Sequence, residues 1–120
     1  MKEFRFISED ENKLSSAICG LKYKDLAKYF RVIGKLHFCE KQIFKEGTWD
    51  EFSKRGKELA KQLEVEKSIK YKEYRIEFGK LIEKYTKEES HNNLILLVRD
   101  AFGAKDDNTL YESAKKLFLN

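Results

Sequence analysis

Tyr71-Lys72-Glu73-Tyr74-Arg75-Ile76-Glu77-Phe78-Gly79-Lys80-Leu81-Ile82-Glu83-Lys84-Tyr85 is the stretch that decides the fold. Tyr71, Tyr74, Phe78, Leu81, Ile82 and Tyr85 recur at steps close to 3.6 residues, so one side of a helix is apolar and the other is charged. The same pattern extends toward the N-terminus. Thr48-Trp49-Asp50-Glu51 has the form of a capping box, and Phe52, Gly56, Leu59, Ala60 and Leu63 make the apolar face that follows. Residues 22–45 carry the longest periodic run, with Leu26, Tyr29, Phe30, Ile33, Leu36, Glu40 and Ile43 at mostly three- and four-residue steps. They read as one long helix ended by Gly47, with a second apolar flank at Val32, Phe38 and Phe44.

At the start of the chain, Ser8-Glu9-Asp10-Glu11 reads as another capping box, whose acidic groups suit the positive end of the helix dipole. The helix it opens runs to about Cys19, with Leu14, Ala17 and Ile18 inward. Phe4-Arg5-Phe6 alternates but has no partner strand, so it reads as an extended arm. Toward the C-terminus, Leu94-Ile95-Leu96-Leu97-Val98 is a continuous apolar run. With helices on both sides and no strand to pair with, it reads as a helix from about Ser90 to Phe102. Asp106-Asp107-Asn108-Thr109 offers caps for a last helix, Thr109 with Glu112 fitting a capping box, and Leu110, Ala114, Leu117 and Phe118 face inward. Gly20, Gly47 and Gly103 suit left-handed helix ends; Gly34, Gly56 and Gly79 sit inside helical patterns and suggest close packing.

These elements amount to one all-α domain over residues 1–120. It is a compact bundle of about five to six helices with a short extended N-terminal arm. The absence of Pro agrees, because helix interiors exclude it. Leu59, Leu63, Phe78, Leu81, Leu96, Leu97 and Leu117 are the expected core. A mean hydropathy of −0.69 and no apolar run near 18 residues exclude a membrane span. The opening residues lack a secretory leader's apolar stretch, and two cysteines are too few for a disulfide framework, so a cytoplasmic location is expected.

Little here points to catalysis. His37 and Cys39 are two apart on a helix and point to different faces, so with Cys19 they read as packing residues rather than metal ligands. His91 has no nucleophile in a recognisable motif, and there is no phosphate-cradling Gly loop. No cofactor, metal or enzymatic activity is expected. Trp49 reads as a staple for its helix entry. Tyr71, Tyr74 and Tyr85 read as core residues, although such rings can stack on bases.

Charge carries the functional signal. The net +4 is uneven: residues 22–45 hold +5 and residues 54–75 hold +4, while the rest of the chain is −5. Clustered lysine and arginine are what contact with a phosphate backbone requires, since displaced counterions favour binding. Lys54, Lys57, Lys61, Lys67, Lys70, Lys72 and Arg75 fall in the second segment.

Residues 56–75 include a pattern, Gly56-Lys57-Glu58-Leu59-Ala60-Lys61-Gln62-Leu63-Glu64-Val65-Glu66-Lys67-Ser68-Ile69, that resembles the helix-turn-helix family of DNA-binding proteins. Ala60 matches the small residue of the first helix, Leu59 and Leu63 its apolar neighbours, and Val65 the apolar turn position. Ser68 matches the polar start of the second helix. Glu64 stands where the family commonly has Gly. The resemblance implies a second helix in the major groove, with Lys67, Ser68, Lys70 and Lys72 near DNA and Arg75 further along. The expected function is therefore a small non-enzymatic protein that binds DNA or RNA through basic helices. The alternative is a protein-binding inhibitor, adaptor or immunity-type module, for which the flank at Val32, Phe38 and Phe44 would be a docking face. The same flank would suit a homodimer.

Overall fold

The computed structural model describes residues 13–65 and 71–119, with the backbone alone for residues 71 and 72. The expected arm at Phe4–Phe6, the Ser8 capping box and residues Lys67, Ser68 and Lys70 lie outside the described residues. Within them the chain is all-α. There are seven α-helices, rather than five or six, because the 22–45 pattern divides: α1 (Leu14–Cys19), α2 (Tyr23–Ile33), α3 (Glu40–Ile43), α4 (Trp49–Val65), α5 (Tyr71–Tyr85), α6 (His91–Gly103) and α7 (Asp107–Leu119). Two short 3-10 turns, Leu36–Cys39 and Glu88–Ser90, lead into α3 and α6.

The break in the long pattern has a geometric cause. A straight helix over residues 22–45 would run about 36 Å, the whole longest dimension of a body measuring 35 × 30 × 26 Å. Instead α2 ends at Gly34, whose carbonyl accepts the Ser53 hydroxyl at 3.2 Å. The stem of Lys57 lies 3.3 Å from where a Cβ on Gly34 would stand. The tighter 3-10 turn then brings Leu36 and Cys39, three apart, onto the same buried side, and Ile43 follows.

The core is built around α2, which packs against α4, α6 and α7, while α1 lies on α5 and α6. Leu26, Ala27, Tyr29, Phe30, Val32 and Ile33 are all buried. Phe30 stacks on Phe78 of α5 with ring centroids 3.4 Å apart, and the Tyr29 hydroxyl donates to the Leu94 carbonyl of α6 at 2.8 Å. Val32 and Phe44 are buried and Phe38 half-buried, so the chain's own helices cover the second apolar flank except at Phe38. Gly79 allows α1 and α5 to touch: a Cβ there would stand 3.2 and 3.3 Å from Cβ and Cα of Ser15. Beside that contact the Ser15 N–H, one of the free donors of α1's first turn, donates to Oε1 of Glu83 at 2.8 Å.

Among the described residues an isolated antiparallel bridge joins Phe44 to Thr86. The Lys45 N–H donates to the Tyr85 carbonyl at 2.8 Å, and the Lys87 N–H to the Ile43 carbonyl at 2.7 Å. Thr86 gives its hydroxyl proton to the Ile82 carbonyl at 2.6 Å, so Nε2 of His91, 3.0 Å away, must be the donor in their contact.

Several local expectations need correction. Leu59, Leu63, Phe78 and Leu97 are buried as expected, but Leu81, Leu96 and Leu117 are only half-buried. The buried stripes run through Phe78, Ile82 and Tyr85 on α5, Leu94, Ile95, Leu97, Val98 and Ala101 on α6, and Leu110 and Ala114 on α7, and the three leucines stand beside or beyond them. Among the described residues the only positive φ is at Gly47 (77°); Gly20 closes α1 in the right-handed region at −80°. The Thr48 hydroxyl donates to the Lys45 carbonyl at 2.6 Å in the preceding turn, and Glu51 accepts the Tyr85 hydroxyl at 2.7 Å across to α5, so the two capping-box side chains are engaged outside the box. Asp106, not Thr109, caps α7: its Oδ1 accepts the Thr109 N–H at 2.8 Å.

Candidate nucleic-acid interface

Helices α2 and α4, which carry much of the two basic segments, are packed neighbours. Helical geometry sets which charges reach solvent. With six apolar positions of α2 buried, the strip left to face outward is Lys24, Lys28, Arg31 and Lys35. On α4 the buried positions Phe52, Gly56, Leu59, Ala60 and Leu63 leave Lys54, Lys57 and Lys61 outward at steps of three and four.

The two strips differ in their surroundings. On α2 the middle of the strip is occupied from within. Nε and Nη2 of Arg31 donate to the two carboxylate oxygens of Asp107 at 2.6 and 3.0 Å, and Nη1 contacts Glu64. The Lys28 ammonium donates to the Ala104 carbonyl and lies 3.9 Å from Asp25. These groups line an open groove of about 870 Å³ between α2, the end of α4 and the α6–α7 connection. Its charged lining is balanced: Lys24, Lys28, Arg31 and Lys105 against Asp25, Glu64, Asp106 and Asp107. Burial pushes the Asp25 carboxyl up against the pull of Lys28, while the backbone N–H of Thr109 holds Asp106 down. A groove of this balance is a poor seat for phosphate.

On α4, Lys54, Lys57 and Lys61 are exposed, and among the described residues no carboxylate lies within ion-pair distance of them. Lys35 joins them at the end of α2, next to the contact of Gly34 with Lys57. Lys54 also lines a smaller groove of about 460 Å³ with Glu51, Arg55, Glu58, Leu81, Lys84 and Tyr85. Arg55 in that groove is engaged, to Glu77 at 2.5 Å and Glu58 at 3.7 Å.

Of the residues expected at a nucleic-acid surface, the structure thus brings together Lys54, Lys57 and Lys61. Arg75 is not with them: it is half-buried, and its guanidinium donates to the Cys19 carbonyl of α1. Lys67, Ser68, Lys70 and the side chain of Lys72 are outside the description. In the helix-turn-helix pattern Ala60 is buried, whereas Val65, at the apolar turn position, is 77% exposed. Lys35 was not among the expected contacts. Its place within one helical pattern gave no sign that it would follow directly on the contact of Gly34 with Lys57.

Burial raises the Cys39 thiol to about 11 and Tyr29 well above its ordinary value, so neither is a nucleophile near neutrality. The Tyr85 hydroxyl is raised by its hydrogen bond to Glu51. Among the described residues no helix is long and apolar enough to cross a membrane. Comparison with family models, with curated proteins and with solved structures finds no match for the chain.

Proposed function

We propose that this protein binds the phosphate backbone of nucleic acid through the outward face of α4. Lys54, Lys57 and Lys61 are the principal contacts, and Lys35 extends the face across the seam to α2. The observation that carries the reading is the contrast in partners. Arg31 and Arg55 are spent on carboxylates of this chain, while these four lysines are exposed with no such partner among the described residues. Cations left in that state gain most when a polyanion releases its condensed counterions. Reading of a duplex by the segment that follows Val65, as the helix-turn-helix resemblance implies, is a narrower form of the same proposal. In the flank at Val32, Phe38 and Phe44, on which a protein partner or homodimer would dock, Val32 and Phe44 are buried and Phe38 alone is half-buried, which leaves less surface for that alternative.

The test is binding to single-stranded and duplex oligonucleotides across a salt series. Three to four phosphate contacts should give a log–log slope of about −2 to −4. The variant Lys54→Glu/Lys57→Glu/Lys61→Glu should abolish binding without changing the melting temperature appreciably. No binding at low salt, or binding indifferent to those three charges, would overturn the proposal.

A further inference from the structure

The seam that ends the lysine face runs into a row of aromatic rings. Lys57 lies on Gly34, Lys35 follows, and the 3-10 turn after it presents His37 and Phe38. His37 stands 6.4 Å from Trp49 by ring centroids, and Phe38 is 6.1 Å from His37 and 5.4 Å from Tyr111 of α7. His37 is exposed, and Trp49, Phe38 and Tyr111 are half-buried. The row is fixed from below. Trp49 packs edge-on against buried Phe44 at 4.9 Å, and Phe38 meets Tyr111 nearly perpendicular at 85°. Beyond Tyr111, the Lys115 ammonium lies 5.2 Å from its ring centroid and 3.2 Å from Glu112. Asp50, beside Trp49, is an exposed carboxylate at the edge of the row.

We infer that this row is a stacking platform for unpaired bases, so that the nucleic acid bound by the α4 lysines is single-stranded. The inference rests on the proposed function and sharpens it. Single-strand sites combine a basic track for the backbone with aromatic side chains on which bases stack. A duplex keeps its base faces inside its own stack and cannot use such rings. Here exposed Lys35 follows Gly34, on which Lys57 lies, and exposed His37 comes two residues later at the start of the row. Rings held by packing need no ordering when a base arrives. The only tryptophan of the chain lies in the row, which supplies the readout.

The experiment follows Trp49 fluorescence while the full chain is titrated with oligothymidylate, with a duplex of equal length, with inorganic polyphosphate and with polyglutamate. Oligothymidylate should bind tightest and quench the emission; polyphosphate and duplex should bind by charge and leave the emission nearly unchanged. His37→Ala, at an exposed position, and Tyr111→Ala should each weaken oligothymidylate by about tenfold, leaving polyphosphate binding unchanged. Binding of all the nucleic acids and polyphosphate alike, with no quench and no effect of His37→Ala, would overturn the platform and leave the α4 reading standing. An equal quench by duplex or by polyglutamate would also overturn it. Failure of every polyanion to bind would remove the proposed function, and the platform with it.

Discussion

Helices α2 and α4 are alike inward and unlike outward. Each buries an unbroken apolar stripe in the same core, Leu26–Phe30–Ile33 on one and Phe52–Leu59–Leu63 on the other. Each turns a basic strip outward. On α2, carboxylates of α4 and α7 reach the strip's centre and its cations become part of the tertiary structure. On α4 no carboxylate of the described residues comes within ion-pair distance of the strip, although the Lys57 stem lies on Gly34 and Lys54 shares a groove with Glu51 and Glu58. Equal charge density in the sequence therefore has two physical fates. What separates them is the arrival of Glu64 and Asp107 from segments 33 and 76 residues away from Arg31.

Stability measurements can break or sharpen this contrast. The inward faces should be equivalent: Phe30→Ala should cost about 3–5 kcal/mol and Leu59→Ala about 2–5 kcal/mol in urea unfolding. Leu81→Ala, at a half-buried site, should fall at or below the bottom of that range. The outward faces should differ. Arg31→Ala should cost about 1 kcal/mol, because it breaks a two-toothed ion pair that is partly shielded from solvent, and the cost should shrink as salt is raised. If Arg31→Ala is as silent as a surface lysine change, the pairing on α2 contributes nothing and the contrast fails.

Acid sharpens the same region. Asp106 is held below its usual value, so its contribution is present above its unfolded value of about 4 and is lost as the pH falls through its lowered folded value. Asp25 is raised by burial; its contribution is present below the unfolded value and lost as the pH rises through the raised one. Melting temperatures between about pH 3 and pH 7 should therefore fall less steeply on the acid side in Asp106→Asn than in the parent chain. In Asp25→Asn they should gain relative to the parent toward neutrality. The smallest effect belongs to α4: changing Lys54, Lys57 and Lys61 together to Gln should shift stability by no more than about 0.5 kcal/mol per site.

Much of the fold was legible because it is written in local periodicity. The helix over residues 71–85, the helix at Ser90–Phe102 and the inward face of residues 52–63 all appear in the structure within a residue or two, although of the 71–85 stripe only Phe78, Ile82 and Tyr85 are buried among the described side chains. The division of residues 22–45 was not legible, since Leu36, Cys39 and Ile43 keep helical spacing. The Ser53 bond to Gly34 and the Lys57 stem against it come from α4, which the pattern of residues 22–45 does not contain. Caps failed for a related reason: Thr48 and Glu51 have the right spacing, but Lys45 and Tyr85 compete for their hydrogen bonds. Of the site, the α4 lysines could be read from their own helix. The seam with Lys35, the turning of Arg75 toward Cys19 and the meeting of Tyr111 with Phe38 depend on which helices become neighbours, and one helix's pattern does not encode that.

The pairing of Phe44 with Thr86 has a consequence for how the molecule opens. It closes the chain between residues 45 and 85 into a ring, with α4 and α5 as its two sides. Closing a ring of that length costs entropy once, and everything inside it is then gained locally. The amide protons of Lys45 and Lys87 act as its clasp. In deuterated water they should be released together, in the same event that parts the two sides, while amides in the last turn of α7 exchange earlier and independently.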